Sequence, residues 1–155
     1  MIVRRILAED IDAVMAGAFR MHAEGIHQHM DFAPDKVRGV LELAVNSQTW
    51  ACFVAREGET HFTMGPLLGA ILGYCMEATF SRELIAGEVG VYVLPEKRGG
   101  FAAKRLIEAF EAWAIERGAR EITLGVTVGI NDVADRLYPA LGFRRMGGLY
   151  MKTVP

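Results

Sequence analysis

The stretch VYVLPEKRGGFAAKRLIEAFEAWA, residues 91–114, joins an apolar strand to an amphipathic helix through a proline and a glycine pair. Residues 91–94 have the apolar character of a strand, and Pro95 ends it because proline has no backbone N–H to donate. From residue 103 onward, apolar side chains recur at helical spacing and the charged side chains lie away from that stripe. The pattern predicts a β-strand that leads directly into the N-terminus of a long helix.

The corner between this strand and this helix contains Arg98, Gly99 and Gly100. The first N–H groups of a helix lack intrahelical partners and carry partial positive charge, so a glycine-rich helix entry suits phosphate oxygens. Arg98 adds a formal positive charge at the same corner. On these residues alone, phosphate binding and tight packing of the turn are both open interpretations.

The other elements follow from hydrophobic periodicity and turn residues. Strands are predicted at 2–7, 50–56, 67–80, 89–94, 121–128 and 143–152, and helices from residue 9, from Pro34, after residue 100 and at 131–141. The predicted order is βααβββαβαβ. Hairpins combined with β-α-β crossovers predict one α+β domain over residues 1–155, a mixed sheet flanked by helices in three layers.

Composition limits the classes of partner and compartment. Lysine and arginine number 17 against 19 acidic residues, a formal charge of −2, so no overall field attracts nucleic acid or an anionic membrane. The longest uncharged run, 62–76, is shorter than the ~18 to 20 residues of a membrane-spanning helix. Cys52 and Cys75 lie in apolar runs without CxxC spacing, which predicts buried, reduced thiols. We expect a cytoplasmic protein with no membrane or nucleic-acid partner.

A second segment, GINDVADRLYPALGFRR at 129–145, strengthens the interpretation of the first. Together the two resemble the GNAT superfamily of N-acetyltransferases. In that family a strand ending Val-x-Pro precedes Arg/Gln-x-x-Gly-x-Gly/Ala, and a later Asn precedes a short helix with Leu-Tyr-x-x-Leu-Gly-Phe. Asn131 and Tyr138 have the seven-residue spacing of many members, and the order of elements agrees over nearly the whole chain.

One position departs from the family pattern. Phe101 stands where the family usually has its central glycine, and the pair Gly99-Gly100 comes one place early. Such RGG-F/R-AA variants resemble a GNAT-like branch that is often found in phage genomes. The departure bears on how closely a pyrophosphate approaches the backbone at this corner.

The resemblance implies acetyl-CoA as co-substrate and no metal. It implies that the pantetheine arm pairs with the backbone of Val91, Tyr92 and Val93, at a point where this strand and the next one splay apart. It implies a pyrophosphate site formed by Arg98, Gly99, Gly100, Phe101, Ala102 and Ala103. Asn131 would orient the pantetheine, with capping of the short helix as the alternative. Tyr138 matches the tyrosine that lies against CoA and protonates its departing thiolate.

The general base and the acceptor site are less constrained by the sequence. Glu88 is the candidate base, and simple strand alternation places it on the same face as Gly90 and Tyr92; a water chain without a single base is the alternative. Glu24, His27 and His29 lie between the first two helices, where the family usually forms its acceptor site, and solvated loop side chains are the alternative. With His22 they form no complete metal-ligand pattern.

The expected function is transfer of an acetyl group from acetyl-CoA to a primary amine by direct attack. The amine, either a small molecule or a peptide, is not identified by the sequence. Two alternatives remain at this stage. One is a non-catalytic GNAT-fold module that binds acyl-CoA, which the altered glycine pattern favours. The other is an interaction domain that forms an oligomer, such as a homodimer, through its apolar surfaces.

Overall fold

The chain forms a mixed β-sheet with helices on both faces. The computed structural model describes residues 1–58, 60, 63–126 and 132–154. The strands are β1 (Ile2–Arg5), β2 (Trp50–Arg56), β3 (Leu67–Glu77), β4 (Leu84–Val93) and β5 (Ala119–Thr123). The helices are α1 (Ile11–Glu24), α2 (Pro34–Asn46), α3 (Ala102–Glu116) and α4 (Asp132–Ala140).

The strands lie in the order in which they follow along the chain, from β1 to β5. Neighbours are antiparallel from β1 to β4, and β4 pairs with β5 in parallel after the crossover through α3. The predicted hairpin of the second and third strands is therefore confirmed, as are the mixed sheet and the α+β class.

Each face of the sheet carries its own apolar core. Leu41 and Cys52 belong to the core between α1, α2 and one face, whereas Leu106 and Phe110 of α3 fill the other. A Cβ on Gly73 of β3 would lie 2.4 Å from the Phe110 ring, so only glycine lets this ring reach the sheet. The result is three layers, helix, sheet and helix.

A buried ionic cluster ties the first strand to the first helix. Asp10 is fully buried, and its carboxylate accepts hydrogen bonds from Arg4 at 2.6 Å, from Arg56 at 2.8 Å and from the N–H of Leu7 at 2.7 Å. Burial opposes ionisation, but these donors outweigh it and lower the pKa of Asp10. Removing one partner of such a buried pair typically costs about 3 to 5 kcal/mol. The cluster therefore fixes where α1 starts against the sheet.

Both cysteines are buried and free of any disulfide. Burial raises the pKa of the Cys52 thiol to about 12, so it remains protonated and unreactive at neutral pH. The prediction of buried, reduced thiols is confirmed. Among the described residues, no helix combines the length and the apolar character that crossing a membrane requires.

The end of the chain differs from the prediction. The strand predicted at 121–128 is observed at Ala119–Thr123, with residues 127 and 128 outside the described part, and no strand forms at 143–152. The predicted closing strand is wrong because its apolar residues are divided by Arg144-Arg145 and by Gly147-Gly148, and glycine weakens a strand. The observed order, over the described residues, is βααβββαβα.

Candidate functional site

The centre of the site is the open edge of β4. Pairing between β4 and β5 ends where Gly87 lies opposite Thr123, while β4 continues to Val93 against β3. Within the described residues, positions 88–93 have no strand beside them on this side. The two strands therefore separate, and the edge groups of β4 are available to an extended ligand.

A β-bulge interrupts β4 at the start of this open edge. Gly73 lies opposite Glu88 and Leu72 opposite Gly90, so Val89 is an extra residue without a partner position. An extra residue reverses the alternation of side chains. Gly90 and Tyr92 line a cavity below α1 and α2, whereas Glu88 lies before the bulge, in phase with the face that packs on α3. The prediction that Glu88 shares a face with Gly90 and Tyr92 is wrong for this reason.

Glu88 and Tyr138 both hydrogen-bond to the backbone of one residue, Gly125. Glu88 Oε1 accepts a hydrogen bond from the N–H of Gly125 at 2.8 Å, and the Tyr138 hydroxyl donates to the carbonyl oxygen of Gly125 at 3.0 Å. Gly125 follows β5, on the far side of the gap between the separated strands. The structure thus brings the two predicted catalytic residues together across the opening.

The electrostatics of this pair suit proton transfer. Burial raises the pKa of Glu88 to about 7, with the Gly125 N–H opposing that rise, and Glu88 Oε2 is buried without a hydrogen-bond partner among the described residues. Burial, then the charge of Glu88, raises the pKa of Tyr138 to about 12. Near neutral pH the carboxyl group can therefore take up a proton, and the phenol keeps its own.

The predicted junction between a strand and the N-terminus of a long helix is observed, with β4 ending at Val93 and α3 beginning at Ala102. α3 begins at Ala102 with no side chain capping it, so its first N–H groups remain available. Gly99 has a φ of +88°, a left-handed conformation that favours glycine. The Phe101 side chain is 74% exposed and points away from the core. The ring that replaces the usual glycine therefore stands at the rim of the corner.

Arg98 connects this corner to the end of α1. Its guanidinium donates to Glu24 Oε2 at 2.8 Å and to the carbonyl oxygen of Val93 at 3.0 Å, and lies 5.2 Å from the centre of the Tyr92 ring. The Tyr92 hydroxyl donates to the other oxygen of Glu24. Hydrogen bonds from Tyr92 and then Arg98 lower the pKa of Glu24. Burial, followed by the bond to Glu24, raises the pKa of Tyr92 to about 12.

A cavity of about 430 Å³ lies between α1, α2 and the sheet. Its walls are mainly aliphatic, with Val89 and Gly90 of the bulge forming the part next to the open edge of β4. A Cβ on Gly90 would lie 2.4 Å from the Met21 methyl group, so the end of the Met21 side chain packs directly on this glycine. The cavity therefore borders the bulge and the open edge of β4, on the face of the sheet opposite to the Glu88 side chain.

The predicted acceptor residues do not behave as one group. His27 lines the cavity, but His29 does not, although their rings are only 6.5 Å apart. Glu24 does not line it either; it is the last residue of α1 and is held by Tyr92 and Arg98. Asn131 lies outside the described residues.

Sequence reasoning missed Gly125 and the cavity walls. An isolated glycine within an apolar strand pattern is a signal of close backbone approach, and Gly125 in EITLGVTV carries that signal. No comparable signal marks Gly17, Ala18 and Val40, because their common cavity depends on how α1 and α2 pack on the sheet.

Comparisons with known proteins identify the family and the fold. The model of the acetyltransferase (GNAT) family matches residues 24–143. A search of curated proteins gives no match. Among solved structures, a probable acetyltransferase has 21% identity and a TM-score of 0.75, covering 100% of this chain and 97% of that one. AAC(6')-Iy in complex with the bisubstrate analog CoA-S-monomethyl-acetylneamine has 18% identity and a TM-score of 0.76, covering 99% and 97%.

A third solved structure, a transcriptional regulator from Bacillus halodurans C-125, has 20% identity and a TM-score of 0.74, covering 98% of this chain and 99% of that one. At these identities the structural likeness shows the fold alone. The family model covers most of the chain, from the end of α1 to the residues after α4. The chain therefore belongs to the GNAT acetyltransferase family.

Proposed function

We propose that the protein transfers an acetyl group from acetyl-CoA to a primary amine by direct attack of the amine on the thioester. The observation that carries this proposal is the meeting of Glu88 and Tyr138 at Gly125, where β4 and β5 separate. Formation of an amide from an amine and a thioester needs one group that accepts a proton and another that donates one. Two neighbouring groups with different pKa values at the opening between the strands meet this need.

The residues present fit acetyl-CoA, which would supply the activated acetyl carbonyl. The edge of β4 at residues 91–93, which has no neighbouring strand among the described residues, would hold the amide-containing pantetheine arm as an added strand. The uncapped N-terminus of α3, with Arg98 beside it, would hold the pyrophosphate. That AAC(6')-Iy is known in complex with CoA supports this assignment by analogy of fold.

The reaction needs three proton movements. Glu88 would accept a proton from the substrate ammonium, directly or through water, which leaves the nitrogen lone pair free to form the C–N bond. The C–S bond breaks and Tyr138 would donate its proton to the thiolate of CoA. The second proton that the nitrogen loses as the amide forms would return to the Tyr138 phenolate. The raised pKa of Glu88, about 7, lets it act as a base near neutral pH.

The first test is stabilisation by acetyl-CoA. Saturation at about a hundredfold excess over Kd adds roughly 2.7 kcal/mol to the free energy of unfolding, which should raise Tm by about 5 to 10 °C in a domain of this size. The second test follows release of the CoA thiol with a panel of amines. Stabilisation without thiol release from any amine would indicate the non-catalytic acyl-CoA module. Absence of stabilisation at millimolar acetyl-CoA would contradict the CoA site itself.

A further inference from the structure

We propose that the acceptor is a small primary amine with a single positive charge and an apolar alkyl or aryl body that occupies the cavity between α1, α2 and the sheet. This inference rests on the proposed function, because it identifies the class of substrate for that same site. It separates this protein from acetyltransferases that act on polycations such as aminoglycosides.

The first support is the chemistry of the cavity walls. α1 contributes Val14, Ala18 and Met21, and α2 contributes Val37, Val40 and Leu41. Such walls favour alkyl and aryl groups because they remove apolar surface from water. A volume of about 430 Å³ is at the small end of the range of ligand sites, roughly 300 to 1,000 Å³. It suits one ring or a short chain.

The second support is the sign of the charges around it. Among the described residues that line the cavity there is no aspartate or glutamate; the ionisable basic groups are His22, His27 and Lys36. Glu24 is nearby, but both of its oxygens are engaged, by Tyr92 and by Arg98. A second ammonium group on the acceptor would thus enter an apolar space without a counter-charge, which is strongly unfavourable.

The third support is the position of the reacting end. Val89 and Gly90 form the cavity wall at the bulge, and Glu88 is the residue directly before them in β4. An amine whose body fills the cavity would point its nitrogen towards the bulge and the open edge of β4. The carboxyl group of Glu88 lies on the other face of this strand, and the nitrogen would reach it through water around that edge. One charged end and one apolar end match this arrangement.

Gly17 gives a direct way to alter the cavity. It is buried on α1 and lines the cavity, and a Cβ built on it meets no atom within 4 Å beyond its own stretch of helix. Leucine at this position would project into the cavity without a backbone clash. Gly39 on α2 is the matched control, because its added Cβ is also unobstructed and it does not line the cavity.

The experiment compares kcat/KM by thiol release for ethylamine, butylamine, hexylamine and phenethylamine with the values for spermidine and the aminoglycoside neamine. Each added methylene should raise kcat/KM about fourfold until the cavity is full. Hexylamine and phenethylamine should exceed both polyamines by at least about tenfold. Thermal stabilisation by each amine alone, without acetyl-CoA, should follow the same order.

The variants test the location. Gly17→Leu should raise KM for hexylamine at least about tenfold while the value for ethylamine changes less than about threefold, and Gly39→Leu should change neither by as much. Stabilisation by acetyl-CoA verifies that each variant is folded. Polyamines turning over better than the apolar amines would overturn this inference and leave the acetyltransferase proposal intact. No thiol release with any amine would instead contradict the acetyltransferase proposal, and the inference with it.

Discussion

Replacing Glu88 by glutamine removes one titrating proton while it preserves the size of the side chain. The pKa of Glu88 is raised from its ordinary 4.5 to about 7. The folded protein therefore loses roughly 3 kcal/mol of its free energy of unfolding when this carboxyl group ionises. The half-buried side chain and its unpartnered Oε2 are the structural origin of that cost.

The sign of the pH dependence follows from where the proton binds more tightly. The folded state holds the Glu88 proton more strongly than the unfolded state does, so its stabilising contribution is complete below about pH 4.5 and is lost as pH rises through about 7. Glutamine does not titrate. The free energy of unfolding of Glu88→Gln minus that of the wild type should therefore increase by roughly 3 kcal/mol between about pH 4.5 and pH 8.

Urea denaturation of the wild type and of Glu88→Gln across this pH range measures the difference between their free energies of unfolding. Contributions of all other titrating groups cancel in this difference. Glu42→Gln is the control, because Glu42 is an exposed carboxylate on the outer side of α2, away from the cavity. A pH-independent difference for Glu88→Gln would refute the claim that burial raises the pKa of Glu88.

The same variant tests the catalytic role. In the wild type, kcat/KM should rise with pH through an apparent pKa near that of Glu88, about 7. Glu88→Gln should lose this inflection and at least tens-fold of activity, since general base catalysis is typically worth ~10²- to 10⁴-fold. A variant that gains stability at high pH and also keeps wild-type kcat/KM would show that Glu88 is buried but not the base.

The other predictions concern the acid, the phosphate corner and the acceptor loop. Tyr138→Phe should fold and bind acetyl-CoA normally but lose at least tens-fold in kcat, because it lacks the proton for the thiolate; a kcat within about twofold of wild type, with chemistry rate-limiting, would make it a packing residue. Arg98→Ala should weaken binding of CoA more than binding of dephosphorylated pantetheine, as measured by calorimetry, and equal losses would exclude a phosphate contact. His27→Ala should change KM for the amine with little effect on acetyl-CoA, and His29→Ala should change neither, because only His27 lines the cavity.

Local patterns were enough to predict most of the fold. The junction at 91–114 was predictable because proline, a glycine pair and a helical stripe occur within one short segment, and each acts through its immediate neighbours. The closing strand at 143–152 was not predictable in this way. A strand requires a neighbouring strand as well as apolar residues. The sequence of this segment alone does not show whether β5 offers it an edge to pair with.

The residue types at the site were more predictable than the faces of the sheet towards which their side chains point. Tyr138 and Glu88 were identified from their places in two motifs, and the structure brings both to Gly125. The face on which Glu88 lies was not predictable, because alternation assumes an unbroken ladder with β3. The separation of His27 from His29 depends likewise on the packing of α1 and α2 over the sheet.

The extra residue Val89 lets β4 direct neighbouring side chains to both faces of the sheet. Before the bulge, β4 directs Glu88 to Gly125 and Tyr138; after it, Gly90 and Tyr92 turn to the cavity on the opposite face. An unbroken strand would put Glu88, Gly90 and Tyr92 on a single face, with the carboxyl group away from the phenol or the cavity wall away from α1. The bulge thus lets one strand place Glu88 beside Gly125 and Tyr138 and still open, within two residues, onto the space proposed for the amine.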